Sequence, residues 1–120
     1  MRGIRGAITV DGNTREAIWR ATQQMVEEML LVNGILPEDV GAAIFSATED
    51  ITATFPAAGA RQIPGFDAVP LFDARQMAVE GGLPMCIRAL LLVDTEKAQA
   101  EVRHVYMGGA KGLRPDLGSR

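Results

Sequence analysis

A single domain of interleaved strands and helices is what the sequence predicts. Three observations carry that expectation. Short apolar runs recur at residues 3–10, 40–46 and 86–93, a long stretch with helical apolar spacing lies between the first two, and Gly, Pro, Asn or Asp punctuates the joins. No repeat, low-complexity tract or linker interrupts the chain, so residues 1–120 read as one domain. A chain of 120 residues forms one core but leaves much of its surface exposed, and self-association is an easy way to bury more.

Residues 3–10 alternate, with Ile4, Gly6, Ile8 and Val10 on one face and Arg5, Ala7 and Thr9 on the other. Asp11, Gly12 and Asn13 end this strand, and Asn13 with Glu16 three residues on resembles a capping box opening a helix. Ile18, Met25, Met29 and Val32 then recur at helical spacing, the methionines serving as flexible core filler, until Asn33 and Gly34 stop the helix. Residues 37–39 predict a turn or helical start and residues 40–46 a second strand, closed by the polar SATED loop. Pro56 is placed to open a short helix, with Arg61 about a turn and a half in, and Pro64-Gly65 ends it. Residues 68–72 predict a short strand and residues 73–78 a turn or single helical turn, followed by a tight connection at Gly81-Gly82. Residues 86–93 give the clearest buried strand, residues 95–101 a polar helical or turn segment, and residues 102–107 a last strand. The glycine-rich tail, residues 108–120, has no strong period and is expected to be mobile unless something docks it.

Three arginines stand inside the apolar runs: Arg5 in GIRGAITV, Arg88 in CIRALLLV and Arg103 in EVRHVYM. A guanidinium is always charged and is costly to desolvate without a partner, yet none of these runs carries a carboxylate within its apolar part. Ten of the twelve basic residues are arginine, the residue suited to bidentate recognition of carboxylate or phosphate. A small anionic ligand is one explanation. Acidic side chains brought in from elsewhere in the fold are the other. With a net charge of −3 and no basic stripe, nucleic acid is not an expected partner, so any anion must be drawn in locally.

Most enzyme chemistries lack their residues. There is no P-loop, dinucleotide fingerprint or nucleophile elbow. Cys86 is the one cysteine and no ligand lies at metal-binding spacing from it, so neither an internal disulfide nor a metal site is expected, and a reducing compartment is. The single histidine, His104, is expected to act as a structural hydrogen bonder in its strand. MRGIRGAITV lacks the apolar stretch of a signal peptide and no run approaches the roughly 20 residues of a membrane span, which together lead to an expectation of a soluble cytoplasmic protein. An enzyme with these residues holds an anionic substrate and stabilises charge, with little proton transfer.

Several ordered blocks, RGIRGAITV, SATED with TATFPAAGARQI, VPL followed by QM and GGL, CIR, RHVY and LRPDL, resemble the small trimeric chorismate mutases of the Bacillus type from residue 2 to about 117. The resemblance implies an α+β protomer with a mixed β-sheet packed with helices. Three protomers form a homotrimeric pseudo-α/β-barrel with active sites at the subunit interfaces. It implies the Claisen rearrangement of chorismate to prephenate, in the Phe/Tyr branch of aromatic amino acid biosynthesis, with no cofactor, metal or covalent intermediate. That chemistry accounts for the missing nucleophile.

Carried over by position, Arg88 donates to the substrate's ether oxygen and side-chain carboxylate, Arg5 holds a carboxylate and Tyr106 assists. A neighbouring protomer supplies Phe55 in the pocket, Arg61 near its mouth, and Ala57 and Ala58 as wall. Leu71 and Phe72 add wall and backbone contacts, Leu113 and Arg114 come from the closing tail, and Arg103 has no ligand role. The chain departs from the family where a glutamate commonly faces the ring hydroxyl and its developing positive charge: it has Gln76 there, with Asp73 in place of a small polar residue. On a helical turn, positions three apart share a face, so Asp73 is expected to carry the relocated carboxylate; a cap on the following turn is the alternative. Two other functions compete, a non-catalytic trimeric binder of a small carboxylate and an imine or enamine deaminase on a similar trimeric fold. RHVY and LRPDL favour the mutase.

Overall fold

The computed structural model of the protein describes residues 1–113. Among them, five strands form one mixed sheet in the order β3-β2-β4-β1-β5. These are β1 (Arg2–Thr9), β2 (Val40–Ala47), β3 (Leu71–Arg75), β4 (Cys86–Val93) and β5 (Val105–Met107). β4 runs antiparallel to both β1 and β2, while β5 is parallel to β1 and β3 parallel to β2. This is the mixed α+β arrangement expected.

Helix α1 (Arg15–Asn33) covers one face. Its N-cap is Thr14, whose Oγ1 accepts from Ala17 N at 3.1 Å, and its C-terminus closes on Gly34, held in the left-handed region at φ 64°. The expected Asn13 cap is therefore displaced by one residue. Asn13 is engaged elsewhere, accepting from Thr52 N and Ala53 N at 2.9 Å, which ties the loop before Phe55 to the β1–α1 turn. Ile18, Met25, Val26 and Met29 are buried on the α1 stripe against Ile4 and Ile8 of β1, Phe45 of β2, and Ile87, Leu91 and Val93 of β4. The helix lies so close to β1 that a Cβ at Gly6 would come 2.4 Å from Met29 Sδ. A second, five-residue helix, α2 (Pro56–Ala60), packs on α1 and ends at Arg61, shorter than its sequence suggests.

The other face of the sheet has no helical layer among the described residues, and the slab is only 20 Å thick along its short axis. β4 thus alternates, with Ile87, Ala89, Leu91 and Val93 buried under α1 and Arg88, Leu90 and Leu92 half-buried on the open side. It is one-sided, although every position but Arg88 is apolar.

Three local expectations are corrected. β3 runs to Arg75, so Asp73 sits on a strand where a turn was expected, because the segment pairs with β2 from Ala43↔Leu71 to Ala47↔Arg75. β5 is confined to Val105–Met107, leaving Arg103 before the strand, exposed, with its backbone N–H and carbonyl both bonded at 2.8 Å to the buried Asn33 amide. The start of the tail is docked: Gly108–Gly112 is a 3-10 turn with Ala110 buried, and Gly109 N donates to Thr9 Oγ1 at 2.8 Å. No helix among the described residues is long and apolar enough to cross a membrane.

Candidate active site

Register places the functional side chains. Ser46 and Ala7 both oppose Arg88 across β4, and Tyr106 opposes Ala7, so Ser46, Arg88, Ala7 and Tyr106 form one row on the open face. Leu90 of β4 brings Ile44 and Arg5 into the next row. Between these rows and Leu113 lies a cavity of about 490 Å³, lined by Arg5, Arg88, Tyr106, Ser46, Ile44 and neighbouring small residues. Ala7 and Tyr106 of this lining pack with Cys86 and Ala110 in a small apolar cluster.

Two polar atoms in this wall, Arg88 Nε and the Tyr106 hydroxyl, are buried without a hydrogen-bond partner among the described residues. Such groups are rare, because leaving a buried donor unmade costs about 1–3 kcal/mol. Among the described residues no acidic side chain is ion-paired with Arg5 or Arg88, so the internal-acid explanation finds no support there. A ligand rich in acceptor oxygens satisfies both atoms. Arg5, unlike Arg88, is exposed, and its backbone N–H donates to His104 Nδ1 at 2.9 Å, the structural role expected of that histidine.

Gln76 belongs beside this cavity. Positions 72, 74 and 76 continue the open face of β3, and Gln76 Oε1 accepts from Ser46 Oγ at 2.9 Å while sharing a smaller depression with Arg88. Asp73 has the opposite parity and lies across the sheet from Gln76, which overturns the helical-turn geometry by which one residue was to replace the other. Asp73 lines a separate cavity of about 400 Å³ with Phe55 and Pro56, and its Oδ1 accepts from Ala57 N at 3.0 Å. Burial pushes its carboxyl above the usual carboxylate range, against the Ala57 hydrogen bond and the positive charge of Arg61.

The expected site residues therefore fall into two groups on one protomer. Arg5, Arg88, Tyr106 and Leu113 meet in the first cavity, whereas Phe55 and Asp73 share the second, with Ala58 on α2 and Arg61 at its C-cap. Phe72 is 64% exposed on the open face, but Leu71 packs against the core and the Ala57 methyl is buried in it, so Ala57 does not present a side-chain wall. Arg114 lies outside the described residues.

Residues not singled out from sequence hold β4 in place. Cys86 N donates to Thr48 Oγ1 at 3.0 Å, Thr48 donates in turn to Asp50, and Asp50 accepts from Met85 N at 3.0 Å. This clamp stabilises Met85 at φ 49°, a left-handed conformation unusual for a non-glycine residue, immediately before β4 opens with Cys86 and Ile87 and turns Arg88 into the cavity. The Thr48 hydroxyl holds the Asp50 carboxyl below its ordinary value. Cys86 offers no competing nucleophile, since burial pushes its thiol up despite the adjacent Arg88.

The open mixed sheet presents arginine and phenol donors that are unpaired among the described residues, with no activated nucleophile beside them, an arrangement of the class suited to taking a small polyanion. Comparison with known proteins gives the class a family. The chorismate mutase type I family model matches residues 1–117. The chain is 52% identical over 120 residues to chorismate mutase AroH of Thermus thermophilus, covering 99% of this chain and 98% of that protein. It is 44% identical over 117 residues to chorismate mutase AroH of Bacillus subtilis (strain 168), covering 98% and 92% respectively. A solved chorismate mutase from Clostridium thermocellum superposes with a TM-score of 0.89 at 39% identity, covering 92% of this chain and 98% of that one. The chain belongs to the chorismate mutase type I family, and its activity class is that of an isomerase.

Proposed function

We propose that the protein converts chorismate to prephenate within the first cavity, completed by a neighbouring protomer in a homotrimer. The observation that carries the reading is the pair of orphaned buried donors, Arg88 Nε and the Tyr106 hydroxyl, facing one cavity with Arg5. Chorismate is a dicarboxylate with an ether bridge. As the C–O bond breaks and the C–C bond forms, six electrons shift around one ring of atoms, no proton moves, and negative charge grows on the ether oxygen. Arg88 aimed at that oxygen stabilises the transition state more than the bound substrate, while Arg5 and Tyr106 hold carboxylate oxygens and restrict the flexible side chain to its reactive conformation.

The trimer joins what one chain keeps apart. Phe55, Ala58 and Arg61 in one protomer face the Arg5–Arg88–Tyr106 cavity of the next, with Phe72 and Leu71 beside them and Leu113 at the cavity's edge. Exposed apolar surface supports this, since Ile44 and Phe72 on the open sheet face are 36% and 64% exposed, Phe55 at the start of α2 is 68% exposed, and bare apolar surface of that kind favours burial by a partner. We assign the reaction to the cytoplasm, where a free buried Cys86 stays reduced.

Purified protein incubated with chorismate and no cofactor is expected to consume chorismate absorbance and form prephenate. Its kcat should be nearly flat around neutral pH because no group must gain or lose a proton; a bell-shaped profile would instead indicate acid-base chemistry. No turnover would leave a carboxylate-binding protein.

Gln76→Glu is expected to raise kcat. A carboxylate at that position accepts from Ser46 Oγ as the amide does, is kept ionised by nearby Arg88, and opposes the positive charge developing on the ring. Unchanged or lower turnover in steady-state assays would show that the neutral amide is the better group in this protein.

A further inference from the structure

We propose that Asp73 is a positioning residue that fixes the α2 segment, and through it Phe55 and Arg61, by supplying from β3 the helix cap that Phe55 cannot provide. The inference rests on the reading above in one respect, that Phe55 and Arg61 reach substrate.

The need for an outside cap follows from the sequence of the segment. Phe55 occupies the N-cap position with extended backbone, φ −88° and ψ 133°, and its side chain has no acceptor. Pro56, at the first helical position, has no N–H to satisfy. The first donor left over is Ala57 N, and Asp73 Oδ1 accepts from it at 3.0 Å across 16 residues of chain. A helix of five residues has little stability of its own, so its place is set by what grips it.

Two further grips act on the opposite side. Gln23 Nε2 donates to Gly59 O at 3.0 Å, and Gly59 lies so close to α1 that a Cβ there would come 2.9 Å from Trp19 Cα. Those contacts press α2 against α1, and the first turn is seated by the buried Pro56 and Ala57. Asp73 joins that turn to β3, hence to the sheet that carries Arg88. The phenyl group at the cap position, useful for lining a pocket, is thus reconciled with a helix start.

The test compares Asp73→Ala with Asp73→Asn, measuring kcat and KM for chorismate and amide hydrogen exchange at Ala57. Asparagine keeps an oxygen acceptor but no charge. Asp73→Ala is expected to speed Ala57 exchange by roughly 3- to 30-fold, the range that loss of a cap implies, and to raise KM with a smaller change in kcat. Asp73→Asn is expected to restore slow exchange and a KM within about twofold of the parent, since the two residues cap almost equally well.

A fall in kcat of similar size in both variants, with slow exchange retained in Asp73→Asn, would mean that the charge itself acts on the reacting substrate and would overturn the proposal. The asparagine variant decides that point even where the alanine variant does not fold. Phe55→Ala and Arg61→Ala serve as controls for the premise. When they raise KM and Asp73→Ala does not, the positioning role is wrong; when neither raises KM, the assignment of Phe55 and Arg61 to the substrate fails, and the cap is judged on exchange at Ala57 alone.

Discussion

Replacing Arg88 with alanine is expected to lower kcat by roughly 100- to 1,000-fold, about 2.7–4 kcal/mol, as removal of one preorganised oxyanion donor does. The same change should leave folding stability unchanged or slightly higher. Arg88 Nε is buried with no partner among the described residues, and truncation removes a donor whose unmet hydrogen bond opposes folding by about 1–3 kcal/mol. A rate defect without a stability defect is the signature of a group kept for its ligand. Steady-state kinetics and thermal unfolding on the same preparation measure both quantities. A higher KM with intact kcat would show that Arg88 only binds the ground state.

Phe45→Ala should behave in the opposite way. Phe45 is fully buried on the helix-facing side of β2, between Ile44 and Ser46, which face the cavity side. Its removal leaves a large void under α1 and is expected to lower stability by about 3–5 kcal/mol in urea unfolding. Under conditions where the variant stays folded, kcat should fall far less than in Arg88→Ala, because the charged row on the other face is untouched. A stability loss below about 1 kcal/mol would show that the methionines Met25 and Met29 flow into the space.

The contrast between these two residues also explains what is legible in the sequence. β1, α1 and β4 carry strong periods because each buries a continuous apolar stripe, and an arginine set into such a strand stands out from sequence as a charge in need of a partner, whether a ligand or a distant acid. β3 carries little apolar signal after Leu71 and Phe72. Its remaining residues owe their conformation to partners distant in sequence, Ala57 N for Asp73 and Ser46 Oγ for Gln76, and no local pattern encodes those. Read as a turn, that segment puts Asp73 and Gln76 on one face and suggests an exchange of roles; as a strand it separates them. The shift of the α1 cap from Asn13 to Thr14 has the same origin, because Asn13 is engaged by residues about 40 positions away. The docked start of the tail depends likewise on Thr9, an unremarkable residue in its own strand.

β4 is the middle strand of five, bonded along its length to β1 and β2, whereas α2 is a five-residue helix outside the sheet ladders, seated by its buried small residues and a few side-chain hydrogen bonds. Opening β4 requires breaking ladders on both edges, close to global unfolding, while opening α2 breaks no ladder and costs only its local packing and its few hydrogen bonds. On the proposed assignment, Arg88 therefore sits on the central strand of the sheet and Phe55 on a short segment outside its ladders. In such an arrangement a local opening of α2 leaves the position of Arg88 undisturbed.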